Sequence, residues 1–150
     1  MTSARPALLN VNVLGALFDP DHVHHDLAHD WFVEARHTGW STCPLTENGV
    51  VRILSNRRYS PVAEPPQRII ARLRAFCQSR DHQFWPDDVS LRVKDWFTDT
   101  AVYPHQAITD VYLLALAKHH GGRLATFDRA IPVDAVAGAS QQDLLLIAEA

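Results

Sequence analysis

Residues 7–17 read ALLNVNVLGAL, a nearly unbroken Leu- and Val-rich run. Such a run predicts a central strand buried on both faces, as in a parallel sheet. Asn10 and Asn12 interrupt it near its end, and polar residues at the carboxyl end of a central strand are where open α/β sheets place ligands. Asp19-Pro20-Asp21 reads as a turn, with Asp21 positioned to cap a helix over 24–37. Leu27, Trp31 and Ala35 share one face of that helix, and Gly39 stops it. Residues 40–43 predict a short second strand ended by Pro44. From Leu45 or Thr46, the stretch TENGVVRILSN predicts a helix, and the three prolines within 57–66 make a loop. Residues 67–78 predict an amphipathic helix with Ile69, Ile70, Leu73 and Phe76 opposite arginines.

Beyond it, 84–86 reads as an extended segment and 88–97 as a helix. A long helix over 108–120 is stopped by Gly121-Gly122, followed by a strand over 123–127 that runs into Asp128. Residues 144–147 predict a last strand. Strands alternating with helices imply an α/β fold, a three-layer sandwich with a central parallel sheet flanked by helices. With no repeat or linker, the 150 residues read as one domain spanning 1–150.

Composition adds bounds rather than function. Apolar residues make up 47% and charged residues 21%, the proportions of a soluble globular protein. No secretory pattern precedes the first apolar run, and no stretch approaches the roughly 18–20 apolar residues of a membrane span. A cytoplasmic protein is expected. Cys43 and Cys77 are isolated and read as small core residues.

The net charge of −3 and the pI near 6.3 argue against a broad nucleic-acid-binding surface. Positive charge is nonetheless concentrated in Arg52, Arg57, Arg58, Arg68, Arg72, Arg74 and Arg80. These could hold a phosphate backbone or simply form the solvated face of a helix. Arg52, Arg57 and Arg58 are the foremost candidates for RNA contact, because they trail the helix that carries Glu47.

His22, His24, His25 and His29 lack a further ligand at fitting spacing, so they read as helix-entry polar residues rather than a zinc site. His119 and His120 complement the carbonyl end of a helix. The four tryptophans, Trp31, Trp40, Trp85 and Trp96, read as core or subunit-interface residues.

Candidate chemistry rests on three carboxylates. Asp110 opens an otherwise apolar helix, with Thr109 as its candidate cap; Asp128 follows a strand; Glu47 lies in the first turn of its helix. Each alone is ordinary helix-start or turn chemistry. Together they fall at the edge of an α/β sheet where sites are built. Three converging carboxylates raise one another's pKa unless a cation is bound. Hard oxygen ligands of that charge suit Mg²⁺ or Mn²⁺, and such a centre supports phosphodiester hydrolysis.

The segments LLNVNVL, LTENGVVRIL, ITDVYLLALA and LATFD resemble, in order and spacing, the PIN-domain family, and within it the VapC-type toxin ribonucleases of toxin–antitoxin modules. The resemblance implies a metal-dependent endoribonuclease that cleaves RNA, forms a homodimer and is inhibited by a cognate antitoxin. It places Glu47, Asp110 and Asp128 on three of four acidic positions and position 10 on the fourth, all four as catalytic and Mg²⁺- or Mn²⁺-binding. Asn12 and Thr126 match supporting positions. Asn10 departs from the pattern, which has Asp there: an amide keeps an acceptor oxygen but no charge. Activity weakened or lost in this chain is therefore expected. An introduced substitution and a natural degenerate homologue both account for the Asn. A non-catalytic PIN-fold module that binds RNA or a protein partner is the alternative.

Overall fold

The computed structural model describes residues 5–56, 58 and 64–148. The elements are β1 (Ala7–Leu9), α1 (Val11–Phe18), α2 (His25–Ala35), β2 (Trp40–Thr42), α3 (Pro44–Leu54), α4 (Pro66–Phe76), β3 (His82–Phe84), α5 (Ile108–His119), β4 (Arg123–Thr126) and β5 (Leu144–Leu146). All strands pair in parallel in the order β3-β2-β1-β4-β5. The chain winds outward from β1 through β2 to β3, then crosses back to β4. That reversal opens a crevice beyond the carboxyl ends of β1 and β4, the position where such sheets take ligands.

Alternation along β1 divides the interior. Ala7 and Leu9 face a core built with α1–α4, including Val13, Phe32, Trp40 and Ile69. Leu8 faces a second core built with α5, including Val111, Leu114 and Leu124. The sheet is therefore covered on both faces, giving the expected three-layer sandwich. Trp40 and Trp85 are buried. Cys43 and Cys77 are free thiols.

Two expectations about elements change. The apolar run 7–17 is not one strand. Extended backbone ends at Leu9, and Asn10 (φ −62°, ψ 159°) caps α1, its side chain accepting from the Val11 N–H. Because α1 is buried from Val13 to Phe18, its sequence is apolar without strand periodicity, and the two structures look alike at this length. Residues 88–97 form turns rather than a helix. Leu91 and Val93 are exposed, so no apolar stripe supports a helix. The backbone instead pairs with 134–137: the Ala137 N–H donates to the Trp96 carbonyl at 2.9 Å and the Thr98 N–H to that of Ala135 at 3.0 Å.

The expected caps also move. His24, not Asp21, sits at the start of α2, and Asp19 Oδ1 accepts from the Asp21 N–H inside the turn. Ala107, not Thr109, precedes α5. Thr46 lies inside α3, its hydroxyl bridging back to the Cys43 main chain. His25 and His29 meet the Ala16 and Leu17 carbonyls at 2.7 and 3.0 Å. They thus satisfy orphan acceptors at the end of α1, a structural role. Gly121 (φ +75°) ends α5 as expected. Gly122 has a different duty: a Cβ there would lie 2.4 Å from the Pro6 carbonyl oxygen, so only glycine lets β4 enter beside β1.

Candidate active site

Asn10, Thr126, Asp128 and Asp110 reach the crevice from the end of β1, the end of β4, the turn beyond it and the first turn of α5. The helix N-terminus favours the Asp110 charge. Asn10 Nδ2 donates to Asp110 Oδ1 at 3.0 Å and to Thr126 Oγ1 at 3.1 Å. Asn10 Oδ1 accepts from the Val11 N–H at 2.7 Å, so both ends of this amide are engaged. The fully buried Thr126 hydroxyl oxygen also accepts from the Asp128 N–H at 3.1 Å and from Asn12 Nδ2 at 3.4 Å. It is the knot that ties β4, the Asp128 turn and the start of α1 together.

Asp110 is half-buried, and its carboxyl titrates above the usual carboxylate range. Burial is the main cause; the Asn10 hydrogen bond works against it, and the charge of Asp128 adds to it. The unfolded chain therefore releases this proton at a lower pH than the folded chain does. Stability falls as pH rises between those two values, and the penalty is complete above the folded one. Asp110→Asn, which keeps an acceptor for Asn10, should melt at a higher temperature than the parent at neutral pH in chelator. The difference should close as pH drops through the ordinary carboxylate range. Thermal unfolding across pH checks this; an equal or lower melting temperature at pH 7 would count against it.

Beside Asp110 opens a cleft of about 670 Å³ lined by Asn10, Asn12, His22, Arg52, Asn56 and Arg58 among others. A smaller one, about 380 Å³, is lined by Asp110, Asp128 and Tyr103. Two of the three foremost arginines thus face the larger cleft, while Arg57 lies outside the described residues. Arg72 is held by Glu64 and the Phe18 carbonyl. His22 and His24 lie against Phe127, with ring centroids 6.4 and 4.7 Å away. Nothing in the one-dimensional pattern links these rings, which are about a hundred positions apart in the chain.

Glu47 does not join the pair. Its Oε2 accepts from the Thr42 hydroxyl at 2.7 Å, and it lines a separate cleft with Asn48, Val51, Arg52 and Ile70. Arg52 lines both clefts. Among the described residues, the groups of three ligand atoms close enough to share an ion are Glu47–Cys77–His82 and Asp88–His119–His120. Glu47 belongs to the first of these, but neither group contains Asp110 or Asp128.

The residues that do converge still fit a hard divalent cation. Asn12 Oδ1 is a buried carbonyl oxygen with no hydrogen-bond partner among the described residues. Two carboxylates face the same crevice in electrostatic conflict. An excess of acceptor oxygens, all of them hard, suits Mg²⁺ or Mn²⁺.

Comparison with protein families matches the PIN domain over residues 7–137. The chain belongs to the PIN-domain family. Its PIN-domain relatives include Ribonuclease VapC39 of Mycobacterium tuberculosis, 49% identical over 132 residues that cover 88% of this chain and 95% of that protein. Ribonuclease VapC44 of the same organism is 42% identical over 139 residues, covering 92% and 96%. Among solved structures, M. tuberculosis VapC20, described as a Sarcin-Ricin loop cleaving toxin, superposes with a TM-score of 0.62 at 15% identity. That match spans 90% of this chain and 97% of VapC20, and establishes the shared PIN fold. Among the described residues, no helix is long and apolar enough to cross a membrane.

Proposed function

We propose that this chain is a metal-dependent endoribonuclease of the VapC type, the toxin half of a toxin–antitoxin pair, weakened by Asn10. The observation that carries the reading is the gathering of Asp110, Asp128 and Thr126 around position 10 at the β1/β4 crevice, in a chain 49% identical to a named ribonuclease. The single-domain chain works in the cytoplasm as a homodimer, and a cognate antitoxin covers the acidic crevice.

In this reading Asp110 and Asp128 supply anionic oxygens, and Asn12 Oδ1 supplies a neutral one. Bound there, Mg²⁺ or Mn²⁺ lowers the pKa of a water and offsets charge on the scissile phosphate. Thr126 holds Asn10 and the Asp128 turn in register. Arg52 and Arg58, on the wall of the adjoining cleft, neutralise flanking RNA phosphates, with Arg57 beside them in sequence. Glu47 completes the acidic set by leaving Thr42.

The engaged amide of Asn10 favours the second reading, a non-catalytic PIN module binding RNA or protein. Its N–H donates to Asp110 where an active quartet would use a cation. The two separate by incubating Asn10→Asp with a mixed transcript pool and Mg²⁺ or Mn²⁺. Cleavage that is lost on adding Asp110→Ala supports the nuclease. Metal binding without cleavage of any transcript supports the module.

A further inference from the structure

Two glycines at the crossing of α1 and α3 have different reasons to be there. A Cβ on Gly49 of α3 would lie 2.7 Å from Val11 Cγ2, so that glycine lets the helices approach closely. Gly15 stands one turn further along α1 and has no such reason. It is not among the glycines with positive φ, and a Cβ there would meet no atom of the described residues within 4 Å. In the middle of a helix, glycine is also less favourable than alanine. Gly15 is nonetheless buried, and it lines the cleft of about 670 Å³ beside Asp110. Neither backbone geometry nor packing calls for the missing methyl. What its absence leaves is room in that cleft.

The rest of the lining supplies a second observation. Val11 of α1 and Leu45 and Ile53 of α3 give the cleft apolar walls, while Arg52 and Arg58 set cations at its side. A phosphate backbone alone has no use for apolar walls. His22 also lines the cleft, with its ring at 25° to that of Phe127. Burial, and then the neighbouring His24, hold the His22 imidazole below the ordinary histidine range, so the ring is neutral at neutral pH. An apolar slot of this size with a few convergent polar groups is the usual form of a small-ligand site. Single-stranded nucleic acid is held in the same way, by flat rings that take its bases beside a cationic track for its backbone.

We propose that the cleft between α1 and α3 receives one unpaired base of the RNA strand, seated over Gly15 with Arg52 and Arg58 on the adjoining phosphates. The inference deepens the nuclease reading, from which it takes RNA as the ligand. Asn10 and Asp110 line the same cleft, so a seated base brings a neighbouring phosphate to the acidic crevice. A base locked in a duplex cannot enter, and looped or single-stranded RNA is therefore the preferred substrate.

The test uses the full chain in chelator, with the four nucleoside 5′-monophosphates and ribose 5-phosphate as probes. At least one nucleotide should bind about 10-fold or more tightly than the sugar phosphate, the scale of one stacked base. Gly15→Leu should abolish that difference by filling the cleft, while binding of the sugar phosphate stays as in the parent. Gly15→Ala should melt no lower than the parent, because it improves the helix, and should weaken nucleotide binding to a smaller extent. It carries the test should the leucine variant fail to fold. Equal binding of nucleotides and ribose 5-phosphate, or nucleotide binding unchanged in both Gly15 variants, overturns the proposal. The nuclease reading fails separately. Base-dependent binding by a chain whose Asn10→Asp form cleaves no transcript keeps the base pocket and sinks the nuclease. Cleavage by Asn10→Asp that added Gly15→Leu leaves unchanged does the reverse.

Discussion

Asn10→Asp should cleave RNA in Mg²⁺ or Mn²⁺ at least about 10–100-fold faster than the chain carrying Asn10, the scale on which groups tuning a metal site act. The reason is local. Asn10 donates one N–H to Asp110 and another to Thr126, so an uncharged group holds the place beside the acidic pair. A carboxylate there keeps an acceptor for the Val11 N–H but loses both donors. It also sets a second negative charge about where Nδ2 stands, 3.0 Å from Asp110 Oδ1. Without metal that exchange should cost roughly 1–3 kcal/mol, the penalty of stranding a buried group. The variant should therefore melt below the parent in chelator. Added Mg²⁺ should restore it by more than it helps the parent, since an ion that binds only the native state stabilises by mass action. Paired melting curves and a transcript cleavage assay check both halves. A variant no more active than the parent, with no extra metal-dependent gain, would remove position 10 from the chemistry.

Leu114→Ala is expected to give the largest loss of stability. Leu114 is fully buried in α5, within the core that α5 shares with Leu8, Val111 and Leu124. Truncating such a leucine removes buried methyl groups and leaves a cavity, costing about 3–5 kcal/mol. For a chain of this size that is a fall on the order of 10 °C in melting temperature. Denaturant unfolding should show a lower midpoint at unchanged slope. Val102→Ala, at a side chain 98% exposed, should stay within about 0.5 kcal/mol. Because Asp110 opens the same helix, Leu114→Ala should also loosen the crevice, so metal-dependent stabilisation should shrink along with the fold. A loss below about 1 kcal/mol would mean the core re-closes over the gap.

Much of the fold was legible in the chain. The strands near 40, 123 and 144, the amphipathic α4 and the long α5 with its glycine stop all follow from periodicity and punctuation. The reading failed in two places, for different reasons. The α1 helix is hidden on nearly every side, so its run carries no 3.6-residue period and reads as strand. Residues 88–97 hold enough apolar side chains for a helix, but their backbone partners lie some forty positions away at 134–137.

The amino-acid sequence by itself determined the family, the parallel α/β architecture and the chemical identity of the acidic residues. Residue types and their order carry that information locally. Only the tertiary structure decided which of those residues meet. Asp110 and Asp128 share a crevice because β1 and β4 become neighbours where the sheet order reverses. Glu47 instead bonds Thr42, beside Cys77 and His82. A glutamate side chain with several rotatable bonds goes to the nearest donor that the packing offers, and no spacing along the chain specifies that. The same holds for Asn10: its missing charge was visible at once. That its amide spans Asp110 and Thr126 depends on contacts across a hundred residues or more.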